Sequence, residues 1–235
     1  AGHVDTAAFG CAPRGAAGGG GRDWRAAPKP ESVSRPHGDA EWCTSADDEK
    51  KLIAANMHVV YPSTPANYFH VLRRQVRRPY RKPLVVLASK ALLRHAAARS
   101  ALADMGPDTR FVPVYRDGSI ERGREGKVKR VVLCAGQVYY ALVRARDANA
   151  GGAIAEGSVA IVRVEQLSPL PARQVLAELA RFPAAAALVW CQEEPLNLGM
   201  WAYVSPRLSA ALAHGGKRTS SAHPHAGKTP LYAGR

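Results

Sequence analysis

The sequence predicts a helix that carries a histidine, His70. Thr64 followed by Pro65 predicts the start of this helix, because a threonine side chain caps the first turn and proline fits the first helical position. The helix is expected over residues 65–77. Within one turn of His70 lie an amide, an aromatic ring and a guanidinium, on Asn67, Phe69 and Arg74. An imidazole so placed has two interpretations, a substrate contact or a histidine that only supports the structure.

An amide and two adjacent carboxylates follow a predicted buried strand, residues 186–191: Gln192, Glu193 and Glu194. Open α/β sheets bind ligands beyond the carboxyl ends of their strands, so these residues are candidates for a ligand or interface loop. The alternative is a loop whose acids favour the N-terminus of the next helix. Both interpretations stay open.

Patterns for metal and phosphate sites are weak or absent. The four cysteines (Cys11, Cys43, Cys134 and Cys191) include no C-x-x-C pair, and His223-Pro-His225 is an isolated H-x-H. Neither G-x-x-x-x-G-K-[ST] nor G-x-G-x-x-G follows a strand. We therefore expect no metal ion, a reducing compartment, and Cys134 and Cys191 as small buried residues at strand ends.

The chain has 235 residues and a net charge of +14. No acid interrupts the basic residues between Ala66 and Ala103, which are Arg73, Arg74, Arg77, Arg78, Arg81, Lys82, Lys90, Arg94 and Arg99. Nucleic-acid binding would require interleaved aromatic residues or a known module, and neither is present. We predict a solvated face or a subunit contact, with no nucleic-acid partner. No apolar run has the roughly 18–20 residues of a membrane span, so no membrane partner is expected.

Short apolar runs alternate with helical segments. Strands are predicted at residues 57–61, 83–88, 130–134, 157–164, 186–191 and 231–233, and helices at 45–55, 65–77, 137–148, 171–182 and a segment that ends near 214. Ser205-Pro206 either starts or kinks this last helix. The continuous apolar run at 83–88 predicts a strand buried on both faces. This alternation predicts an α/β fold with a mostly parallel sheet flanked by helices.

The sequence divides into three parts. Residues 1–43, with an unbroken glycine run and scattered prolines, are expected to be a disordered or unrelated segment. Residues 44–88 hold only two predicted strands and form an incomplete domain. Residues 89–235 are expected to fold as a second unit, and the charged stretch 115–129 is predicted to be a solvated loop between blocks. With no methionine at Ala1, we expect a piece of a longer or processed protein.

Five long motifs resemble the carboxy-terminal part of the thiamine-dependent first component of 2-oxoglutarate dehydrogenases. In order they are TPANYFHVLRRQ (64–75), RKPLVVLASKALLRH (81–95), KRVVLCAGQVYYAL (129–142), AIVRVEQLSPLP (160–171) and VWCQEEPLNLGMWAYVSPRL (189–208). The resemblance covers about residues 45–235. It implies the end of a transketolase-type pyrimidine-binding domain at 44–88 and a transketolase-type C-terminal domain at 89–235.

The same resemblance implies a parent enzyme that decarboxylates 2-oxoglutarate oxidatively, in the tricarboxylic acid cycle, and passes the succinyl group to lipoamide. Its cofactors would be thiamine diphosphate and Mg²⁺. Its partners would be a second copy in a homodimer, a lipoyl-carrying succinyltransferase core and dihydrolipoyl dehydrogenase. The location would be the mitochondrial matrix in a eukaryote or the cytoplasm in a bacterium.

Among single residues, the resemblance places His70 at the substrate pocket, where it would donate to the 2-oxo acid or carry a proton. Two departures weaken the match, Gln137 in place of a usual lysine and Leu170 in place of a usual phenylalanine. The G-D-G motif with its later asparagine pair, which holds the cofactor, is absent, and so is the catalytic glutamate segment. We therefore expect this chain alone to bind no thiamine diphosphate and to be inactive. Two alternatives remain, a 2-oxoadipate dehydrogenase first component and a non-catalytic module for dimerisation or regulation.

Overall fold

A computed structural model describes residues 46–149, 154–214 and 223–235, and the predicted segment 1–43 lies outside them. The described residues form helices α1 (Ala46–Ala54), α2 (Pro65–Arg77), α3 (Val138–Ala148), α4 (Ala172–Ala180) and α5 (Trp201–His214). Their strands are β1 (His58–Val60), β2 (Leu84–Val86), β3 (Val114–Tyr115), β4 (Arg130–Cys134), β5 (Val159–Val164), β6 (Gln166–Ser168), β7 (Ala187–Cys191) and β8 (Leu231–Ala233). Short 3-10 turns occupy Leu92–Arg94, Leu102–Met105 and Glu125–Lys127.

A five-stranded sheet in the order β3-β5-β4-β7-β8 forms the larger core. Its pairs are parallel except for β3, which runs antiparallel to β5. Alternate residues of the central strand β4 point to opposite faces. Val131 and Leu133 pack with residues of α4 and α5, whereas Cys134 packs with α3. Helices therefore cover both faces, and the predicted α/β class is confirmed.

A second sheet of three strands, ordered β2-β1-β6, joins the two predicted blocks. Strand β1 is parallel to β2 and antiparallel to β6, with Val60 opposite Gln166. Helix α2 packs on this sheet through Val71, which contacts Val60 and Phe111. Strand β6 belongs to the 89–235 block, so this block supplies an edge of the sheet begun by residues 44–88. The boundary after Ala88 stays a prediction.

Three local predictions are wrong. The run at 83–88 is not buried on both faces, because β2 is an edge strand and leaves Val85 41% exposed. The stretch 115–129 is not simply a solvated loop, since it begins with the last residue of β3 and has four buried side chains, those of Tyr115, Asp117, Ile120 and Val128. Cys134 is buried as predicted, but Cys191 is only half-buried. Of the two alternatives for Ser205-Pro206, the start of the helix is excluded, because Pro206 lies inside α5.

The turn after β4 fits the packing between the two blocks. Gly136 has a φ of 69°, a left-handed conformation that favours glycine. The ring of Tyr61 occupies the space that a Cβ at this position would need. The turn therefore requires glycine both for its backbone angle and for the close approach of Tyr61.

Candidate functional site

His70 lies on the buried face of α2. The predicted helix start is confirmed, because Thr64 Oγ1 accepts a hydrogen bond from the Asn67 amide at 3.3 Å. The His70 side chain is 3% exposed, and its Nε2 lies 2.7 Å from the carbonyl oxygen of Asp104. A carbonyl oxygen only accepts, so Nε2 carries the proton and donates it. The other nitrogen, Nδ1, is then bare, and it is buried without a partner among the described residues.

The charge state of His70 follows from this burial. Loss of solvent lowers the pKa of the imidazole, and the hydrogen bond to the Asp104 carbonyl opposes that shift only in part. The ring is therefore neutral at pH 7. The neighbouring Arg73 donates from Nη1 to the Gly106 carbonyl at 3.1 Å and from Nη2 to the Thr109 carbonyl. His70 and Arg73 together hold residues 104–109 against α2.

Of the three residues predicted to lie near His70, two bind other parts of the chain. The Phe69 ring contacts the imidazole edge-on, with centroids 5.2 Å apart. Asn67 instead binds Val112, accepting from its amide at 2.8 Å and donating to its carbonyl at 3.0 Å. Arg74 donates to Gln166 Oε1 at 2.8 Å. The structure thus brings only Phe69 to the histidine.

A buried carboxylate, Glu165, connects α2 to the segment between β5 and β6. It accepts hydrogen bonds from the Ser63 amide at 2.7 Å, from Ser63 Oγ at 2.5 Å and from Asn67 Nδ2 at 3.1 Å. Burial raises the pKa of Glu165, while Arg163 and these donors oppose the rise. Arg163 Nη1 donates to Ser63 Oγ at 3.0 Å, and its guanidinium lies 4.1 Å from the centre of the Tyr139 ring.

Sequence reasoning missed this network, although a signal for it exists. Arg163 lies inside an otherwise apolar strand and Glu165 directly follows it, and charged residues at such positions are seldom buried without a partner. The pattern indicates an internal charge pair but does not say which residues complete it. Ser63 and Asn67 lie about a hundred positions earlier in the chain.

Gln192 is the buried centre of the loop between β7 and α5. Its Oε1 accepts from Trp190 Nε1 at 3.0 Å and from the amides of Met200 and Trp201 at 3.1 and 3.0 Å. Its Nε2 donates to three carbonyls, the shortest bond being 2.7 Å to Leu198. The Gln192 side chain therefore has its hydrogen-bonding capacity filled by its own loop.

The two acids of the same loop are exposed. The Glu193 carboxylate accepts from Gln137 Nε2 at 2.7 Å, and the Glu194 backbone carbonyl accepts from the Tyr232 hydroxyl at 2.7 Å. The Glu194 side chain lies beside Gly199, where an added Cβ would be 2.9 Å from Oε2. A ligand or interface role for Glu193 and Glu194 stays a prediction.

His223 and His225 bind the protein backbone. The Nε2 of His223 lies 2.9 Å from the Leu176 carbonyl, and the Nε2 of His225 lies 3.1 Å from the Leu179 carbonyl, so both donate to α4. Within 46–149, 154–214 and 223–235, no three His, Cys, Asp or Glu side chains group closely enough to hold a metal ion. In those same ranges no helix is long and apolar enough to cross a membrane.

Comparisons with known proteins match two families to successive parts of the chain. Residues 99–235 match the family described as 2-oxoglutarate dehydrogenase C-terminal, and residues 38–96 match the transketolase pyrimidine-binding domain. The chain is 44% identical, over 171 residues, to the 2-oxoadipate dehydrogenase complex component E1 of Danio rerio; the match covers 73% of this chain and 18% of that protein. It is 43% identical, over 166 residues, to the 2-oxoglutarate dehydrogenase E1 component of Brucella ovis, covering 68% and 16%.

These matches confirm the resemblance drawn from the five motifs. The chain spans less than a fifth of the length of the curated relatives that it matches. The change from one family to the other, between residues 96 and 99, falls near the predicted boundary between the two blocks. The chain belongs to the 2-oxoglutarate dehydrogenase C-terminal family, here preceded by part of a transketolase pyrimidine-binding domain.

Proposed function

We propose that this chain is part of the first component of a 2-oxo acid dehydrogenase complex that acts on 2-oxoglutarate. The observation that carries the proposal is the family match over residues 99–235 beside a pyrimidine-binding domain match. The parent enzyme would decarboxylate the 2-oxo acid oxidatively and pass the succinyl group to lipoamide in the tricarboxylic acid cycle. It would work as a homodimer with a lipoyl-carrying succinyltransferase core and dihydrolipoyl dehydrogenase, in the mitochondrial matrix or the bacterial cytoplasm.

Thiamine diphosphate and Mg²⁺ would serve the parent enzyme, where the cofactor supplies the chemistry at the carbonyl carbon. The described residues do not fit the charged end of this cofactor, because they hold no cluster of metal ligands and the sequence has no G-D-G motif. Calorimetry should show no Mg²⁺-dependent thiamine diphosphate binding to the 235-residue chain, and micromolar binding would contradict this expectation.

Within the parent enzyme, we propose that His70 is the residue of this chain that handles a proton. Its Nε2 is used by Asp104, so the nitrogen left for chemistry is the bare Nδ1, which is buried in this chain and which the substrate would have to reach in the complete enzyme. A neutral imidazole with a bare nitrogen accepts a proton, and donation to the substrate would require protonation first. The lowered pKa of His70 keeps Nδ1 unprotonated at neutral pH, the form that can accept a proton, and also makes the imidazole a weaker base.

A second candidate substrate is 2-oxoadipate, which the 44% identical Danio rerio relative supports by its name. A chimera separates the candidates: the matching segment of the Brucella ovis protein is replaced by residues 46–235 of this chain. We expect this chimera to turn over 2-oxoglutarate with higher kcat/KM than 2-oxoadipate. The reverse preference would assign the chain to the 2-oxoadipate enzymes.

A non-catalytic module for dimerisation or regulation is the remaining alternative. The chimera tests it also, because a folded dimeric chimera without turnover of either 2-oxo acid would favour that role. The unmodified Brucella ovis protein serves as the positive control for assay and assembly.

A further inference from the structure

Helix α2 carries apolar side chains on the face that it turns away from the protein. Asn67, His70 and Val71 are buried on its inner face, which packs on the sheet of β1 and β2. With about 3.6 residues per turn, positions separated by three or four lie on one face of a helix. The outer face therefore holds four apolar residues that are 37% to 78% exposed, Tyr68, Phe69, Leu72 and Val76. We call these four residues the outer stripe of α2.

An apolar stripe at this position requires a cover. A surface helix of a globular protein normally has polar residues on the face opposite its core. The sheet order β2-β1-β6 leaves β2 at an edge, and further strands there would extend the sheet sideways. Helices joined to such strands would lie beside α2 and would leave its outer stripe bare. The cover therefore has to be a separate layer that packs helix against helix.

The charges around the outer stripe favour a second copy of the chain over an acidic partner. None of the four stripe residues is charged. Arg73, which follows Leu72 on the helix, donates to the carbonyls of Gly106 and Thr109 and is thereby turned toward residues 104–109. Its guanidinium is already bonded, so it offers little to an acidic surface. An uncharged stripe fits another uncharged stripe, and a second copy supplies one.

We propose that the outer stripe of α2 binds the same stripe of a second copy of this chain, with the two helices antiparallel and closest at Leu72. The spacing is symmetric about this residue, since Tyr68 precedes it by four positions and Val76 follows it by four. A two-fold axis at Leu72 sets the large Tyr68 ring of each copy against the smaller Val76 of the other.

The antiparallel direction also separates the like charges at the end of the stripe. Arg77 is exposed beside Val76. In the antiparallel pair the two copies of Arg77 lie about 15 Å apart along the helix axis, farther than the roughly 10 Å screening length at 0.1 M salt. A parallel pair would place them at the same level.

The contact is small, so the dimer that it makes should be weak. At their exposed fractions the four side chains offer roughly 300–400 Å² per copy, about half of the roughly 800 Å² per partner in a stable interface. We therefore expect a dissociation constant on the order of 0.1 mM for this chain alone. In the parent enzyme the stripe would form one part of the homodimer interface, and for that role the proposal rests on the proposed function.

Sedimentation equilibrium of the 235-residue chain, up to about 1 mM, measures this association. We expect association to strengthen as salt is raised, because salt screens the repulsion between two chains of net charge +14. Leu72→Glu should raise the dissociation constant at least about tenfold, since two carboxylates would meet inside the apolar contact. Leu198→Glu is the matched control, because Leu198 is an exposed leucine in the loop between β7 and α5, and this variant should associate as the parent does.

A mixture of Leu72→Glu and Leu72→Lys chains tests the symmetric pairing. Each variant alone should stay monomeric, because like charges would face each other at the two-fold axis. The mixture should associate again, because opposite charges would then face each other there. A mixture that stays monomeric would show that Leu72 does not face its own copy, and it would overturn the pairing.

A parent chain that stays monomeric overturns the proposal and leaves the stripe to another part of a longer protein. Association that Leu72→Glu does not change, that Leu198→Glu abolishes or that weakens with salt also overturns it. Val76→Glu changes the most exposed stripe residue and keeps the test decisive if circular dichroism shows Leu72→Glu unfolded. Weaker association of Val76→Glu supports the proposal, and unchanged association overturns it. The measurements use this chain alone, so their failure is distinct from a failure of the proposed function, which the chimera tests.

Discussion

His70 combines a donated hydrogen bond at Nε2 with a bare Nδ1, and a substitution by glutamine can remove the second property while it keeps the first. Glutamine places an amide donor near the position of Nε2 and lacks the second ring nitrogen. His70→Ala removes both. The sequence alone predicts little loss of stability for alanine, a good helix former. The buried bond to Asp104 changes that expectation.

We expect His70→Ala to lower the free energy of unfolding of this chain by about 1–3 kcal/mol, and His70→Gln to lower it by less than about 1 kcal/mol. Urea unfolding measures both values. In the chimeric enzyme, both variants should lower kcat/KM for 2-oxoglutarate by about 10- to 10⁴-fold, the effect of losing a positioned proton carrier. If His70→Gln keeps the kcat/KM of the parent while His70→Ala loses stability, the role of the histidine is purely structural.

His58 gives a prediction of pH dependence. Its ring is buried, and Arg78 Nη1 donates to Nε2 at 3.3 Å. Burial, followed by the charges of Arg78, Arg74 and Lys82, lowers its pKa from 6.5 to about 4. Between these values the unfolded chain binds more protons than the folded chain, so stability is lost as the pH falls through this window.

The loss of stability due to His58 between pH 7 and pH 5 should be about 2 kcal/mol. His58→Gln keeps an acceptor for Arg78 but does not titrate. Between pH 7 and pH 5 the unfolding free energy of this variant should therefore fall by about 2 kcal/mol less than that of the parent chain. His70 and His225 also have lowered pKa values, but they are present in both proteins and cancel in the comparison. Equal pH dependence of parent and variant would contradict the assignment.

At the scale of elements, the loop between β7 and α5 depends on one side chain. Gln192→Ala would leave the buried Trp190 Nε1 and the partly buried amides of Met200 and Trp201 without their acceptor, and we expect it to lower the unfolding free energy by about 3 kcal/mol. Glu193→Gln, at the exposed neighbouring position, should change it by less than about 0.5 kcal/mol. Thermal unfolding of both variants measures the contrast. If Gln192→Ala lowers the unfolding free energy no more than Glu193→Gln does, a water molecule replaces the lost side-chain amide.

Elements that carry their own local signals were predictable from sequence, and elements defined by a distant partner were not. Thr64 and Pro65 mark the start of α2 without any tertiary information. Strands β3 and β6 have two and three residues, too short for a period to show, and each exists because another strand pairs with it. The contact of His70 with Asp104 spans 34 positions, so helical spacing could indicate the candidate but not its partner.

At the scale of the whole molecule, the two family regions share structure across their boundary. Strand β6 completes the sheet of β1 and β2, and Glu165 takes its donors from Ser63 and Asn67. The first region therefore supplies hydrogen bonds to a buried carboxylate of the second, whose charge partner, Arg163, lies in the second region itself. This coupling explains why a division that is clear in the sequence need not mark a unit that folds by itself.

The last prediction compares residues 46–235 with residues 89–235. Removing 46–88 deletes the β1 partner of β6 and takes from Glu165 three hydrogen bonds, leaving Arg163 as its main compensating charge. A buried group that loses its partners costs about 1–3 kcal/mol, and the sheet loses apolar cover in addition. We expect the shorter chain to unfold at clearly lower urea concentration, or without a cooperative transition, when followed by the fluorescence of the buried Trp190.

Limited proteolysis of the full chain should accordingly give a resistant core that begins near residue 46 and not near residue 89. If residues 89–235 unfold at the same urea concentration as 46–235, the buried network adds nothing and the second region is an independent domain.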